Sequence, residues 1–400
     1  MAPIPQRTQQ RASPAVAGYV ASGLRSGVYT SIPHLVPPTG LAAARVAELT
    51  QELVTTRPGE LARWLSSRPR PAGAGFERVL RDLSRHTRTL DAMLKGPTPE
   101  SSATLAEVKA VLAHLPAAAR ELLANEKEHT FKPFGYEDAL ALAAARWFKH
   151  EYFRWVDPIK CAQCGGETRG TGAGQPTAEE RAGGAGRVEL HTCVNCAAVR
   201  RFPRYNEVKA LMGSREGRCG EFAQLFYVFF LALGLEARYV WNSSEDHVWT
   251  EYWSPELGHW VHIDSEAETS KPLLYDRGWG KKQAHCSAVG ASGAEDVTRA
   301  YVDGWDECLA RRRAKDLGGG PISEAYLAQL ITALTVECRA HLDDEERARL
   351  ESMDEAQQRW IDDEKGRWRE AELVNLRGRE SGPEEWRAER DELGAGGAGE

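Results

Sequence analysis

The sequence contains no apolar run long enough to cross a membrane and no large excess of charge of one sign. Its longest apolar run, Phe222 to Leu235, is shorter than the roughly 20 residues that a transmembrane helix needs. The first residues, MAPIPQRTQQR, lack the apolar core of a secretory signal. With 51 Lys and Arg against 58 Asp and Glu, the net charge of −7 gives no global reason to expect a nucleic acid or membrane partner. We therefore expect a cytoplasmic protein, with the nucleus as a second location.

Cysteine is also scarce, with eight residues in 400, and half of these form two C-x2-C pairs. In a reducing compartment this pattern favours metal ligation or catalysis over disulfides. Cys161 and Cys164, in CAQCGG, and Cys193 and Cys196, in CVNCAA, have the spacing of a zinc ribbon. Four thiolates leave no position for water, so the sequence predicts one structural Zn²⁺ per chain. His191, two residues before Cys193, is the alternative ligand.

Composition and periodicity divide the chain into four parts. Residues 1–40 are rich in Pro, Ser and Gly and predict disorder, whereas 41–135 show three segments with helical periodicity. Residues 136–305 predict a mixed core that contains a zinc subdomain at 158–204, where the two cysteine pairs are separated by a glycine-rich stretch typical of a flexible loop. Residues 306–400 are charged and predict solvated helices followed by a flexible tail.

The order of elements in the core predicts an α+β fold. The segment YEDALALAAARWFKHEYFRWV predicts a helix before the first cysteine pair, and a second helix is predicted to open at Cys219. Three β-rich segments follow, EARYVW, HVWTEYW and HWVHID, with turn residues between them. A helix followed by antiparallel strands is typical of an α+β architecture.

The stretch SREGRCGEFAQLF places a thiol where a polar loop changes to an apolar helix. At a helix N-terminus, the unpaired amides and the helix dipole favour a thiolate at Cys219, which is how a nucleophile is prepared. Such a nucleophile needs a base and a group that orients the base, and His247 and Asp264 follow on predicted strands. The alternative for each residue alone is a structural role, but their joint order on helix, strand and strand favours a catalytic triad.

These residues lie in a longer stretch that closely resembles the cytoplasmic peptide:N-glycanase family. The resemblance covers roughly Tyr136 to Val302 and includes RWFKHEYFRWVDPIKC, RFPRYNEVKALMGSREGRCGEF, KPLLYDRGWGKK and EDVTRAYV. It implies a transglutaminase-like (papain-like) cysteine hydrolase core with an inserted zinc-binding subdomain and flanking helices. It also implies hydrolysis of the amide between asparagine and N-acetylglucosamine on misfolded glycoproteins, in disposal of misfolded ER proteins.

The resemblance also implies roles for individual residues and partners. Cys219 is then the nucleophile, His247 the base and Asp264 its orienting acid. Five residues match positions that bind substrate or support the cleft: Trp155, Arg238, Trp249, Glu251 and Trp260. Misfolded high-mannose glycoproteins are the implied substrates. Since the chain shows neither the N-terminal adaptor-binding domain nor the C-terminal sugar-binding domain of larger relatives, we expect its terminal helices to contact a ubiquitin-receptor or proteasome shuttle protein.

Two positions depart from the family's pattern. Phe222 stands where the family usually has Trp, and Glu266 and Ala267 stand where the family tends to have Cys and Glu. A second carboxylate near Asp264 can perturb the acid that orients His247, so we expect reduced activity that Glu266→Cys with Ala267→Glu restores. The alternative function is a weak or inactive glycanase-like adaptor in the same pathway. Protein crosslinking ranks last, because the sequence shows no acidic calcium loop.

Overall fold

The computed structural model describes residues 73–264, 269–314, 321–363, 376–380, 382, 384–390 and 392–393. Several predictions concern residues outside this part of the chain: the disordered segment 1–40, the first helical segment LAAARVAELTQELV, Glu266 and Ala267, and the glycine-rich tail. Among the described helices, none combines the length and the apolar character that crossing a bilayer requires.

In the described residues, three helices precede the mixed part of the fold. They are α1 (Ala74–Leu94), α2 (Pro99–Leu112) and α3 (Leu115–Ala124). Helix α1 buries Phe76, Leu80 and Leu90 in the main hydrophobic core. The segment LAEVKAVLAHLPAAARELL, predicted as one helical stretch, is divided near His114, because Pro116 lacks an N–H and is best tolerated in the first turn of a new helix.

Helix α4 (Tyr136–Trp147) continues as one π-helical turn (Phe148–Tyr152) and leads into the two-residue strand β1 (Arg154–Trp155). The predicted helix therefore ends earlier than its sequence pattern indicates. Phe148, Tyr152 and Phe153 are buried, and their rings pack against one another. Tertiary packing of these aromatic rings outweighs the local helical preference.

The segment that carries the cysteine pairs forms a small sheet. Its elements are β2 (Thr168–Gly174), α5 (Ala178–Ala182), β3 (Val188–Cys193) and β4 (Val199–Pro203), with strand order β2-β3-β4. The prediction of a flexible loop between the pairs was wrong. Strand β2 is hydrogen-bonded to β3, Thr177 caps α5, and Glu180 forms an ion pair with Arg201 at 2.7 Å. The ladder and the ion pair lie between distant segments, so composition alone does not indicate them.

Helix α6 (Val208–Ser214) and strand β5 (Glu216–Gly217) lead to helix α7 (Cys219–Ala232). Helix α7 begins at Cys219 as predicted and buries most of its apolar residues. Strand β5 pairs in parallel with β1, and this pairing places Trp155 opposite Gly217. The residues just before the first cysteine pair are thereby brought to the start of α7, beside β5, which follows the second pair.

A five-stranded antiparallel sheet forms the centre of the molecule, in the order β10-β9-β6-β7-β8. The strands are β6 (Ala237–Asn242), β7 (His247–Ser254), β8 (His259–Ile263), β9 (Cys286–Gly290) and β10 (Gly293–Asp296). The first three confirm the predicted β-rich segments, and helix α7 packs against β6 and β7. Because β7 pairs with β8, the start of β7 and the end of β8 lie at the same edge of the sheet.

The described C-terminal helices are α8 (Trp305–Ala314), α9 (Glu324–Arg339), α10 (Asp344–Asp362) and α11 (Glu384–Glu389). The region is helical as predicted, but the prediction that it is a solvated helix pair was wrong. Helix α9 buries Leu327, Leu330 and Leu334 in the main core, and α10 packs Leu350 against Trp260 of β8. These sparse apolar residues repeat at helical spacing, so a charged helix still has one face that covers the core.

Candidate active site

The predicted nucleophile lies at the first residue of α7. Cys219 is half-buried, and its helix start is fixed by a capping box in which the Arg218 N–H donates to Glu221 Oε2 at 3.0 Å. The first N–H groups of a helix have no intrahelical acceptor, so they are directed toward the space around the thiol. This position suits a sulfur atom that acquires negative charge.

His247 lies beside this thiol as the first residue of β7. It is 3% exposed, and its Nε2 donates to Asp264 Oδ2 at 3.0 Å. Because Nε2 is engaged, Nδ1 is the nitrogen left for Cys219. Burial alone would lower the pKa of His247, but the hydrogen bond and charge of Asp264, together with Cys219, raise it. The structure thus brings the three predicted catalytic residues together.

Asp264 follows β8 directly and is 1% exposed. It accepts hydrogen bonds from His247 and from the Tyr275 hydroxyl, the latter at 2.5 Å. Burial works to raise the pKa of Asp264, but these two donors hold it well below its usual range. An ionised carboxylate at this place fixes the His247 ring and stabilises the imidazolium.

His262 on β8 extends this network. Its Nε2 lies 2.8 Å from the Tyr275 oxygen, so His262 donates to Tyr275 while Tyr275 donates to Asp264. Burial lowers the pKa of His262 from its ordinary value of 6.5 to about 4. The neutral ring is therefore the folded-state form near neutral pH.

This buried histidine gives a pH dependence of stability whose sign follows from its lowered pKa. The neutral form contributes stability that is present above pH 6.5 and is lost as the pH falls toward 4. We expect the thermal midpoint of the native chain to fall over that window, because the free energy of unfolding falls by about 3 kcal/mol. The thermal midpoint of the His262→Gln variant should fall less over the same pH window, as measured by circular dichroism melts at several pH values. Parallel curves for the two chains would contradict this assignment.

Trp155 lies near the start of α7, where it pairs with Gly217. Its ring centroid is 5.7 Å from that of Phe222, which is 3% exposed and also contacts Phe153. The departure from the family at Phe222 thus keeps an aromatic contact in the second turn of α7. The Trp279 ring lies 5.2 Å from the His247 ring, so a second tryptophan contacts the predicted base.

The other four predicted substrate residues lie behind the site. Arg238 and Glu251 are directly opposite each other on β6 and β7 and form an ion pair, and Arg238 stacks over Trp260 at 4.4 Å. Trp249 donates to the Tyr301 hydroxyl at 2.9 Å, and that hydroxyl donates to Glu251. Each of the four is at most 9% exposed. In this structure they join β7, the strand that carries His247, to its neighbours. Their direct contact with substrate stays a prediction.

The buried Arg238–Glu251 pair predicts a large stability effect. Glu251→Gln removes one of the two carboxylates that pair with Arg238, the other being Glu295, while keeping the side-chain shape, and we expect a loss of about 2 kcal/mol because the guanidinium stays buried. Urea unfolding of the variant measures this loss. Glu345→Gln on the exposed side of α10 is the matched control and should change stability by less than about 0.5 kcal/mol. Equal effects of the two substitutions would contradict the supporting role.

The four paired cysteines form a separate cluster. The Sγ atoms of Cys161 and Cys196 are 3.6 Å apart, those of Cys164 and Cys193 are 3.5 Å apart, and all four lie within 4.8 Å of one another. Backbone N–H groups within each knuckle donate to the first sulfur, from Gln163 to Cys161 and from Asn195 to Cys193, both at 3.4 Å. The backbone N–H groups of Cys196 and Asn195 lower the pKa of Cys193 to about 6. The cluster can hold a metal ion.

Several residues of the site were not identified from the sequence. Tyr275 and Trp279 lie in KPLLYDRGWGKK and Tyr301 in EDVTRAYV, two segments that carried the family resemblance without indicating individual roles. Arg379 stacks on Trp155 and Trp279, and no motif or periodicity around it indicates this contact. The sequence signal for Tyr275, Trp279 and Tyr301 is an aromatic side chain within a segment that resembles the family.

The comparisons with known proteins agree with this geometry. Residues 171–265, which include Cys219, His247 and Asp264, match the transglutaminase-like superfamily. Among solved structures, Rad4–Rad23 bound to a 6-4 photoproduct lesion aligns with 74% of this chain and 62% of its own at 16% identity, but the TM-score of 0.38 is too low to support an inference.

Curated relatives share one name, peptide-N(4)-(N-acetyl-beta-glucosaminyl)asparagine amidase. The Saccharomyces cerevisiae protein is 36% identical over 65% of this chain and 71% of its own length. The Homo sapiens and Arabidopsis thaliana proteins are 38% and 37% identical, over 64% and 69% of this chain, which spans 38% and 37% of their lengths. With this identity and coverage, the chain belongs to the peptide:N-glycanase family and has a transglutaminase-like α+β core.

Proposed function

We propose that this chain hydrolyses the amide bond between an asparagine side chain and N-acetylglucosamine, releasing the glycan and leaving aspartate. The observation that carries the proposal is the assembly of Cys219, His247 and Asp264 at the start of α7 and one edge of the central sheet. A thiol, a buried imidazole and an ionised carboxylate in this order perform acyl transfer. The name shared by the relatives supplies the substrate class.

In the first half of the reaction, His247 Nδ1 takes the proton of the Cys219 thiol, and the sulfur attacks the carbonyl carbon of the asparagine amide. The negative oxygen of the tetrahedral intermediate is stabilised by the Cys219 backbone N–H and by the nearby Trp155 indole. His247 then donates its proton to the leaving nitrogen, and the C–N bond breaks. The products of this half are a thioester on Cys219 and a free glycosylamine.

In the second half, His247 takes a proton from water, and the resulting hydroxide attacks the thioester carbonyl. The C–S bond breaks, and the proton returns from His247 to the Cys219 sulfur. Throughout, Asp264 stays ionised and keeps Nε2 protonated, so Nδ1 is the nitrogen that exchanges protons with the thiol and with water. We propose that Arg238, Trp249, Glu251 and Trp260 act by holding the strands that carry His247.

We propose Zn²⁺ as the ion of the four-cysteine cluster. A tetrahedral zinc ion with Zn–S bonds of about 2.3 Å separates its sulfurs by about 3.8 Å, and the observed separations of 3.5 and 3.6 Å fit this spacing. Four thiolates complete the coordination of the ion, so it supplies structural stability and no reactive position. Cys161, Cys164, Cys193 and Cys196 hold it between the two knuckles.

We further propose misfolded high-mannose glycoproteins as substrates, in the disposal of misfolded ER proteins, with a cytoplasmic and nuclear location. The partly exposed Trp155 near the start of α7 supports this substrate class, because an indole packs against sugar rings and unfolded peptide. A shuttle protein bound to the terminal helices is the proposed partner. Co-precipitation of the full chain with ubiquitin receptors, compared with a chain lacking residues 1–72, tests that contact.

The function is tested by incubating the purified chain with a denatured high-mannose glycoprotein. The expected result is free glycan together with conversion of the glycosylated Asn to Asp, each detected by mass spectrometry. Native glycoprotein and a glycan-free denatured protein serve as substrate controls. If no glycan is released while Cys219 reacts readily with alkylating agents, the amidase proposal fails and the adaptor function takes its place.

A further inference from the structure

A segment near the end of the described chain lies against the active site. We call residues 376–380, 384–390 and 392–393 the C-terminal arm. Its Arg379 is 2% exposed and places its guanidinium carbon 5.0 Å from the Trp155 ring and 4.8 Å from the Trp279 ring. Trp155 pairs with Gly217, two residues before Cys219, and Trp279 lies against the His247 ring, so the arm contacts an aromatic neighbour of each residue.

A buried carboxylate fixes Arg379 in this place. Glu392 is fully buried and accepts from Arg379 at 2.9 Å, from Lys281 at 2.7 Å and from Arg390 at 2.9 Å. The Arg379 backbone N–H also donates to the Glu392 carbonyl at 2.7 Å. Burial works to raise the pKa of Glu392, but the neighbouring cations hold it near 2, so the carboxylate is charged at neutral pH. The bonds to Arg379 and Arg390 join parts of the arm to each other, and the bond to Lys281 ties the arm to the segment that carries Trp279 through charges that are costly to separate in a buried environment.

The backbone of the arm is also closely fitted. A Cβ atom built on Gly278 would lie 2.8 Å from the Arg377 carbonyl oxygen and 2.5 Å from that of Leu274, so only glycine allows this approach. Arg390 Nη2 lies 3.4 Å from the carbonyl oxygens of Glu245 and Asp246, the two residues before His247. The arm therefore contacts the segments on which Trp279 and His247 are carried.

We propose that the C-terminal arm forms one wall of the catalytic cleft and that Arg379 is a positioning residue, which fixes the Trp155 indole beside Cys219. This inference rests on the proposed amidase function, because it concerns the orientation of Trp155 during attack on the amide. A planar guanidinium fits between two indole faces and gains cation–π energy from both. Lysine carries the same charge without the plane, so it should not replace arginine here.

The opposite effect is expected if the arm is a plug that must leave before substrate enters. Replacing Arg379 would then increase kcat/KM, whereas an arm that forms a wall of the cleft predicts a decrease. The extensive burial of Arg379 and Glu392 favours the wall, since release of the arm would separate Lys281 from the buried carboxylate of Glu392. The two arrangements are therefore separable by one measurement.

The test uses the full chain with Arg379→Ala, Arg379→Lys and, as matched control, Arg377→Ala, which alters an exposed arginine of the same segment. With a small glycopeptide as substrate, both Arg379 variants should lose at least about tenfold in kcat/KM, mainly through kcat, while the control stays native-like. Alkylation of Cys219 by iodoacetamide should stay within about threefold of native in Arg379→Lys, because that variant keeps the positive charge that acts on His247. Unchanged or increased kcat/KM, full rescue by lysine, or a parallel loss of alkylation would overturn the proposal.

Hydrogen–deuterium exchange separates this proposal from the function on which it rests. Peptides covering the arm should exchange slowly in the native chain and faster in Arg379→Ala and in Glu392→Gln. Glu392→Gln is the second variant to measure if Arg379→Ala fails to fold. Unchanged exchange in both variants would overturn the claim that this ion pair holds the arm. If the native chain releases no glycan but the arm behaves as expected, the amidase proposal and the positioning role in it fail together.

Discussion

Cys219→Ala is expected to abolish glycan release, lowering kcat/KM by about four orders of magnitude or more. The substitution removes the atom that forms the thioester, and neither His247 nor the oxyanion donors can replace it. Only a small volume is lost at the half-buried first residue of α7, so the fold should survive. Glycan release by mass spectrometry, thermal melts and metal analysis of the same preparation measure the three quantities.

The matched control for this experiment is Cys338→Ala. Cys338 is fully buried on α9, with its nearest polar partner Ser84 at 3.8 Å, and it belongs to no part of the site. This variant is expected to lose stability, by about 1 kcal/mol for a small cavity, while each folded molecule keeps its turnover. Near-native turnover of Cys219→Ala, with melts and metal content unchanged, would refute the nucleophile assignment.

Cys193→Ser is expected to release the bound metal and to unfold the small sheet that carries it. Zinc sites of this type supply on the order of 10 kcal/mol of folding free energy, and one weakened ligand forfeits a large part of it. Activity should fall together with metal content. The untreated native chain should contain about one zinc per molecule, and a clearly lower content would contradict the proposed site.

A defined set of contacts connects the four-cysteine cluster to the start of α7, where Cys219 lies. Strand β3, which ends at Cys193, carries Glu189, and Glu189 accepts from Arg218 at 3.0 Å and from Arg204 at 3.3 Å. Arg218 precedes the nucleophile, and Arg204 also pairs with Glu221 in the first turn of α7. Val194→Ser, an exposed position beside the same ligand, is the control and should keep both metal and activity. Full activity of a metal-free Cys193→Ser chain would show that this coupling is absent.

The residues proposed to react and the four paired cysteines were identified from the sequence because their signals are local. A C-x2-C knuckle, a cysteine at the junction of a polar loop and an apolar helix, and a histidine or aspartate at the edge of a β-rich segment each lie within a few residues. Helix α7 and strands β6, β7 and β8 formed where their hydrophobic patterns predicted. A local pattern does not predict β2, because this strand is glycine-rich and forms only where β3 supplies its hydrogen-bonding partner.

What the sequence by itself determined was therefore the chemistry: a thiol, a base, an acid and a four-sulfur cluster, in an α+β core. Only the tertiary structure decided what surrounds them. Trp249 and Glu251 lie on a strand buried on both faces, so alternation along the chain does not distinguish cleft from core. Arg390 contacts the carbonyl of Glu245 from 145 positions away, and Arg379 reaches Trp155 from still farther. Such contacts depend on how distant segments pack, a property that no single segment encodes.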